Sequence, residues 1–291
     1  MRGAVRDFSG DHRWMALNTV TVREQGDLQA IIDGCLRHGI VAVVPWRDQV
    51  ADIGLRAASR AIRRAGLSVP GYCRAGMMVA DEHRLGEARD DNRRAVDEAA
   101  EIGAQCLILV VGGLPQFSRP GSAASKDIGA ARALATDEIA RLLPHAAQSG
   151  VRLALEPLHP MHAATRGCVN TLGQALDICD ALDPNGRNGL GVAVDVYHTW
   201  WDPDLAKQIA RAGARRLHAF HVCDWLTPTR DPLTDRGMMG DGIIDIPRIR
   251  GWIESAGYQG FCEVEILSDT WWARSMDDTL GACVRAMREA V

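Results

Sequence analysis

Short β-like runs alternate with longer helical patterns along the chain, and this alternation constrains the fold more than any other feature. The predicted strands cover 14–18, 40–45, 68–73, 106–111, 151–156, 190–195, 217–222 and 261–266. The predicted helices cover 28–38, 50–65, 82–102, 126–148, 172–182, 204–212, 246–255 and 276–289. Strands that alternate with helices pair in parallel through right-handed crossovers. Eight such units predict an α/β protein, a single (β/α)8 TIM barrel with a parallel eight-stranded core.

An open, doubly wound sheet is the main alternative for this pattern. That fold usually carries a glycine-rich phosphate loop after an early strand. The glycine pair at a strand end, Gly112 and Gly113, matches neither GxGxxG nor a Walker motif. No Ser/Pro-rich linker divides the chain. We therefore expect a loose N-terminal arm over 1–12, a barrel domain over 13–291 and a long loop over 226–244.

Composition disfavours several other classes of protein. The 291 residues include 33 basic and 37 acidic side chains, a net charge of −4 without a basic block, so nucleic acid is not the expected partner. The N-terminus lacks a hydrophobic signal region, and the apolar runs are too short for a bilayer. We expect a cytoplasmic protein with no membrane partner. The 8 scattered cysteines, without a CxxC pair, are typical of buried free thiols.

The strand ends of the second half carry a pattern with chemical meaning, because functional residues of a barrel follow its strands. Four consecutive strands end in side chains that can bind a divalent metal: Glu156, Asp195, His221 and Glu265. Two positions earlier on three of these strands stand Ala154, Ala193 and Ala219, which would share the inward face and leave room there. One imidazole and three carboxylates suit Mn²⁺, Mg²⁺ or Co²⁺ better than a thiolate-rich structural zinc.

The segments that contain these residues resemble a known superfamily. LALEPLHP, GVAVDVYHTWWDP, HAFHVCDW and GYQGFCEVEI resemble the xylose-isomerase-like TIM barrels of the sugar phosphate isomerase/epimerase family, over most of residues 14–290. The resemblance implies that Glu156, Asp195, His221 and Glu265 bind one divalent ion, Mn²⁺ foremost, and that both glutamates also act as acid and base. It also implies that His198, three residues after Asp195, contacts the substrate.

Such residues suit the removal of a proton next to a carbonyl. The resulting enediolate is negatively charged, and a metal that bridges two substrate oxygens stabilises that charge. Carboxylates on both sides of the carbon can take the proton from one face and return it to the other. The predicted function is a metal-dependent isomerase or epimerase of a sugar or keto-sugar. The resemblance also implies that xylose isomerase proper would carry a lysine soon after Glu156, and this chain has none there, so that enzyme is disfavoured. Lys126 and Lys207 both lie away from strand ends, which disfavours a Schiff-base aldolase.

Other functions stay open from the sequence. A metal-dependent lyase or dehydratase of the same superfamily, such as those that cleave 3-keto-glycosides and C-glycosides, would eliminate a leaving group from the same enolate. His159 is the catalytic candidate for that step because Pro157 and Pro160 stiffen its loop, with His162 as the neighbouring alternative. An endonuclease IV-like nuclease is disfavoured by charge and by the first four strand ends, which lack its ligands. A non-catalytic sugar-binding subunit is a third class.

Substrate contacts are predicted from the rim of the barrel. Trp46 and Trp225 follow strand ends closely, where indole faces stack on sugar rings, although aromatic residues on a rim are equally typical of an oligomer interface. In the loop before the eighth strand, Asp235 and Arg236 could bind hydroxyls or a phosphate. Arg230 competes with Arg236 for that role. The predicted partner is a small carbohydrate, with a homo-oligomer or partner subunit possible.

Two further polar residues are assigned supporting roles. His218 has the opposite parity to His221, so we expect it to face the helices and be structural. Glu263 has the same parity as Glu265 but lies one layer deeper. We expect it to support the site and to need a partner such as an arginine.

Overall fold

The computed structural model describes residues 6–81, 83–114 and 125–291. Its strands are β1 Met15–Asn18, β2 Val43–Val44, β3 Tyr72–Gly76, β4 Cys106–Val110, β5 Arg152–Leu155, β6 Leu190–Asp195, β7 Leu217–Val222, β8 Asp224–Trp225, β9 Arg236–Gly237 and β10 Cys262–Val264. Its helices are α1 Leu28–Arg37, α2 Arg47–Ile53, α3 Leu55–Ala65, α4 Leu85–Ile102, α5 Ile128–Gln148, α6 Leu172–Leu182, α7 Val196–Thr199, α8 Leu205–Arg216, α9 Ile246–Ser255, α10 Asp269–Trp272 and α11 Met276–Glu289. Short 3-10 turns cover Thr19–Val22 and Pro160–His162.

The barrel wall is one eight-stranded parallel sheet. Its strands follow the order β2-β1-β10-β7-β6-β5-β4-β3. The two ends of this order meet through parallel bridges from Ala42 to Ser68 and from Trp46 to Cys73, which close the barrel. The remaining strands, β8 and β9, pair antiparallel as a small hairpin over the rim. The prediction of a single (β/α)8 barrel with a parallel core is confirmed.

The predicted elements differ from the observed ones where glycine or proline interrupts a pattern. The helix predicted over 50–65 is two helices, α2 and α3, because Gly54 adopts φ 85° between them. The third strand begins at Tyr72 rather than at residue 68, since Pro70 lacks the N–H that a strand ladder requires. The loop predicted over 226–244 contains β9. The short helices α7 and α10, which follow strand ends, were not predicted.

The interior of the barrel is separate from the layer between the strands and the helices. Small and medium apolar side chains fill the interior: Ala16, Ala42, Val44, Cys73, Cys106, Ile108, Ala154, Ala193 and Ala219. Leu153, Leu155, Val192 and Val194 instead belong to the larger outer layer. This division follows the two-residue period of a strand. The predicted inward parity of the alanines below the strand-end ligands is confirmed.

The part of the N-terminal arm that the structure describes packs against the barrel. Arg6 pairs with the buried Glu254 at 2.8 Å, and Phe8 is buried beneath the guanidinium of Arg250, 4.2 Å from its ring centroid. A loose arm was expected over 1–12, but the described part of it is attached to the barrel by an aromatic ring and an ion pair. Residues 1–5 of the predicted arm lie outside the described residues.

The cysteines and lysines lie where the sequence indicated. All eight cysteines are buried and free of disulfides. Lys126 precedes α5 and Lys207 lies on α8, and both are exposed. No helix within 6–81, 83–114 and 125–291 combines the length and the apolar character that a bilayer span requires.

A close approach of β3 to β4 predicts an effect on stability. Gly76 has φ 117°, and a Cβ there would stand 2.1 Å from the carbonyl oxygen of Val110. Gly54, with φ 85°, has open space around the same position. We expect Gly54→Ala to lower the free energy of unfolding by about 1–2 kcal/mol through backbone strain alone. Gly76→Ala should lower it by about 3 kcal/mol or more, because the backbone of β4 must also move.

Urea unfolding of the two variants measures the difference. An equal decrease in the free energy of unfolding of both variants would show that the contact with Val110 adds nothing to the strain of a positive φ.

Candidate active site

The four predicted ligands meet in one buried cluster at the mouth of the barrel. One ligand atom from each of Glu156, Asp195, His221 and Glu265 lies within 4.8 Å of the corresponding atoms of the others. Asp195 ends β6 and stands beside His221 of β7, while Glu156 and Glu265 directly follow β5 and β10. These strands are consecutive in the wall, in the order β5-β6-β7-β10. Their carboxyl ends therefore bring the four side chains together.

The chemistry of the cluster fits a divalent metal ion. Glu156 Oε1 and His221 Nδ1 lie 2.9 Å apart, and both atoms are buried without a hydrogen-bond partner in suitable geometry among the residues that the structure describes. Buried polar atoms left in this way cost about 1–3 kcal/mol each. A cation between them would satisfy both atoms at once, and three carboxylates with one imidazole are donors that hard divalent ions accept. The residues present can therefore hold one such ion.

His221 is oriented from behind by a second layer of polar groups. Its Nε2 lies 3.3 Å from Glu263 Oε2, which leaves Nδ1 facing Glu156. Asn18 Nδ2 donates to Glu263 Oε1 at 2.7 Å and to Glu265 Oε1 at 3.3 Å. A carboxylate behind a ligating imidazole fixes its orientation and raises its basicity. The partners of Glu263 are thus His221 and Asn18, not the arginine expected from the sequence.

Arg236 reaches the cluster from β9. Its Nη1 donates to Asp195 Oδ2 at 2.9 Å and lies 3.2 Å from Glu265 Oε2, and its Nη2 lies 3.1 Å from His198 Nε2. Burial raises the pKa of Asp195 although the guanidinium opposes that shift. Burial also acts to raise the pKa of Glu265, but there Arg236 and His221 together outweigh it and the pKa falls. Arg236 therefore stabilises the ionised form of both carboxylates.

The competing arginine, Arg230, lies away from the cluster. Its side chain is 66% exposed and pairs with Asp235, whose carboxylate also accepts the Arg230 backbone N–H at 2.8 Å. Asp235 is therefore occupied by Arg230 and is not among the residues that line the cavity above the cluster. Of the residues proposed from this loop, the structure brings Arg236 to the ligands.

The histidines of the rim separate into two groups. His198 and His162 line the cavity above the cluster and are buried. His159 is not among the lining residues, and its ring packs against Trp225 at 4.9 Å and Trp201 at 5.8 Å between centroids. Its backbone N–H donates to His198 Nδ1 at 3.2 Å. His159 thus supports His198 through the main chain, while His162 presents an imidazole to the cavity.

The two tryptophans proposed as substrate contacts also differ. Trp46 lines the cavity, and its Nε1 donates to Asn18 Oδ1 at 2.7 Å. Trp225 stacks on Tyr197 at 4.6 Å between centroids and is not among the lining residues. Trp46 is therefore placed to meet a ligand, and Trp225 is placed to support the rim.

Two charged lining residues were missed by the sequence analysis. Arg74 lies in β3, and Arg166 lies in the loop between β5 and α6. Arg74 follows Cys73 at a predicted strand end, so the strand-end rule would have found it had the search included cations. The free volume of the cavity is about 30 Å³, room for a water molecule. Long side chains at its mouth must shift before a ligand larger than water can enter.

Known proteins share this fold and part of this sequence. A profile of the family described as xylose isomerase-like TIM barrel matches residues 30–287. The crystal structure of protein SMc04130 from Sinorhizobium meliloti 1021 is 56% identical, with a TM-score of 0.89, and the match covers 95% of this chain and 98% of that one.

Two more distant relatives carry functional names. Apo 3-keto-D-glucoside 4-epimerase YcjR from E. coli is 17% identical with a TM-score of 0.75, and the match covers 95% of this chain and 99% of that one. That likeness shows the fold alone. Inosose isomerase from Halalkalibacterium halodurans is 26% identical over 134 residues, which is 45% of this chain and 45% of that protein. The chain thus matches less than half the length of this curated relative.

The second layer predicts an effect on metal affinity. We expect Glu263→Gln to weaken Mn²⁺ binding about 10–100-fold, because a neutral amide behind His221 no longer raises its basicity. Glu254→Gln is the matched control, since Glu254 is equally buried at 2% exposure but pairs with Arg6. Titration of the metal-free chain with Mn²⁺ measures both affinities. Unchanged affinity in Glu263→Gln would contradict the orienting role of Glu263.

Proposed function

The chain belongs to the xylose isomerase-like TIM barrel family, and on that premise we propose that it is a divalent-metal-dependent isomerase or epimerase of a sugar or keto-sugar. The observation that carries the proposal is the convergence of Glu156, Asp195, His221 and Glu265 in one buried cluster. A fold by itself does not determine a reaction, so the proposal depends on these side chains. Mn²⁺ is the proposed ion, with Mg²⁺ or Co²⁺ as alternatives.

The proposed reaction begins with removal of a proton from a carbon next to a carbonyl. A bound divalent ion supplies Lewis-acid stabilisation of negative charge on substrate oxygens. Glu156 and Glu265 follow β5 and β10, the two outer strands of the set, so they flank His221 and Asp195. This placement suits one carboxylate for taking the proton from one face of the carbon and the other for returning it.

The two glutamates have different surroundings, which suggests which of them takes up the proton and which returns it. Arg236 and Asn18 both donate to Glu265, at 3.2 and 3.3 Å. Glu156 Oε1 has no hydrogen-bond partner among the described residues. We therefore assign the first proton uptake to Glu156, whose Oε1 contacts His221 Nδ1 at 2.9 Å but no arginine or amide donor among the described residues, whereas Arg236 favours the ionised form of Glu265.

The names of the relatives agree with this class of reaction. One is an inosose isomerase and another is a 3-keto-D-glucoside 4-epimerase. Elimination from a keto-glycoside receives less support, because His159, its predicted proton carrier, packs against Trp225 outside the cavity lining. His162 is the histidine of that loop that lines the cavity.

Deuterium uptake tests the proposed acid–base pair. Free sugars, keto-sugars and 3-keto-glycosides are incubated with the Mn²⁺-loaded protein in deuterated buffer, and uptake next to the carbonyl is measured together with turnover. We expect Glu156→Gln and Glu265→Gln each to lower both rates at least about 100-fold, because each removes one proton carrier.

Glu138→Gln is the control for this test, since Glu138 is buried but pairs with Arg89 on the helical layer. Bound metal is quantified in every variant. Near-normal exchange in metal-replete Glu156→Gln or Glu265→Gln protein would contradict the acid–base roles. Exchange that survives complete removal of metal would contradict the metal requirement.

The two loop histidines provide a second test. We expect His162→Ala to lower turnover and exchange together, because it removes an imidazole from the cavity wall. His159→Ala should have the smaller effect on exchange, since its ring contacts Trp201 and Trp225. Product formation lost in His159→Ala while exchange persists would instead favour the elimination reaction.

A further inference from the structure

Two arginines of the cavity have no acidic partner in the described part of the chain. Arg74 and Arg166 make no ion pair with any carboxylate among residues 6–81, 83–114 and 125–291, and the Nε of Arg74 is buried without a hydrogen-bond partner. Arg74 and Arg166 are half-buried. The half-buried Arg6 and the buried Arg250 pair with Glu254, and the buried Arg216 and Arg236 pair with Asp183 and Asp195. A desolvated cation without a counter-ion is unfavourable. The cavity thus holds cationic groups that the protein itself does not neutralise.

The surroundings of Arg166 agree with an excess of positive charge in the cavity. Burial lowers the pKa of Arg166, and the positive charges of Arg74 and Arg236 lower it further. The carboxylates of Glu156 and Glu265 act in the opposite direction without reversing the shift. The three guanidinium groups therefore repel one another across the cavity, and an anion between them would relieve that repulsion.

A count of charges leads to the same result once the proposed metal is included. Glu156, Asp195, Glu263 and Glu265 contribute four negative charges when ionised. A divalent ion and Arg236 offset three of these. Arg74 and Arg166 then leave one net positive charge in the cavity. A substrate with one anionic group would make the loaded site neutral.

Arg74 is held where a ligand can reach it. Its guanidinium lies 5.9 Å from the centroid of Trp46, within range of a cation–π contact. Trp46 donates to Asn18, which in turn donates to Glu263 and Glu265. A chain of contacts therefore links this arginine to the carboxylates of the cluster, and both line one cavity.

We propose that the substrate carries an anionic group, a carboxylate or a phosphate, which Arg74 and Arg166 bind while the reacting carbon lies between Glu156 and Glu265. Guanidinium groups suit this role because they bind planar carboxylates and phosphates through paired hydrogen bonds. The inference rests on the proposed function and names the substrate class for the same site. An acidic sugar or a sugar phosphate is thus preferred over a neutral sugar.

Three matched 2-ketohexoses test the inference: D-fructose, D-fructuronate and D-fructose 6-phosphate. They differ at C6, which is neutral, a carboxylate or a phosphate, so the two charged compounds also distinguish the two kinds of anion. Calorimetric titration into the Mn²⁺-loaded protein measures each affinity. We expect at least one charged ketose to bind about tenfold or more tightly than D-fructose, as charge-assisted hydrogen bonds predict.

The variants Arg74→Gln and Arg166→Gln should reduce this preference to about twofold or less while the affinity for D-fructose stays within about twofold. Arg166→Lys keeps the charge but not the paired geometry, so it should keep part of the preference. Arg63→Gln is the control, because Arg63 is 59% exposed on α3. Thermal unfolding of each variant verifies that the fold is retained.

The inference is overturned if wild-type protein shows no preference for either charged ketose, or if both glutamine variants keep the full preference. It is also overturned if these variants lose affinity for D-fructose and for the charged ketoses equally. The arginines would then serve to neutralise the negative charge of the glutamates. Deuterium exchange on the same samples separates the two proposals. A preference for a charged ketose without deuterium exchange supports the anion site and contradicts the proposed isomerase. Deuterium exchange without such a preference supports the isomerase and contradicts the anion site.

Discussion

The mutual repulsion of four buried carboxylates is the constraint on which the rest of this site depends, because the other groups of the site must offset it. Glu156, Asp195, Glu263 and Glu265 lie at one end of the barrel, and none is more than 6% exposed. Close carboxylates in a low-dielectric environment resist ionisation together. Arg236 beside them and the proposed metal supply the positive charge that holds this arrangement, and His221 lies between the carboxylates. The same constraint explains why removal of a single partner is expected to disturb the whole cluster.

The barrel makes this concentration of charge possible. Consecutive parallel strands direct their carboxyl ends to one rim, so side chains far apart in sequence converge without a long connecting loop. The alanines beneath the ligands fill the interior without reaching the rim, and the larger aliphatic side chains lie on the outer face. Stability and chemistry therefore occupy opposite faces of the same strands.

The proposed recognition of an anion combines a strand residue, Arg74 of β3, with residues of the rim loops. The cluster comes from strand ends, whereas Arg166 and His162 come from the loop after β5 and Arg236 from a rim hairpin. Loops vary more easily than barrel strands. Relatives with the same fold can thus keep a cluster of this kind and change the substrate, which is why the anion preference must be read from Arg74 and Arg166 rather than from the fold.

Periodicity in the sequence determined the barrel, and the strand ends, their parity and the family resemblance predicted the four candidate ligands that the structure brings together, because these patterns depend on spacing along single strands. Only the tertiary structure decided between Arg230 and Arg236, since it shows that the exposed Arg230 pairs with Asp235 while Arg236, six residues later, pairs with the buried cluster. It also decided which loop histidine lines the cavity, and it gave Glu263 a histidine and an amide in place of an arginine. These choices depend on contacts between segments distant in sequence, which no local pattern records.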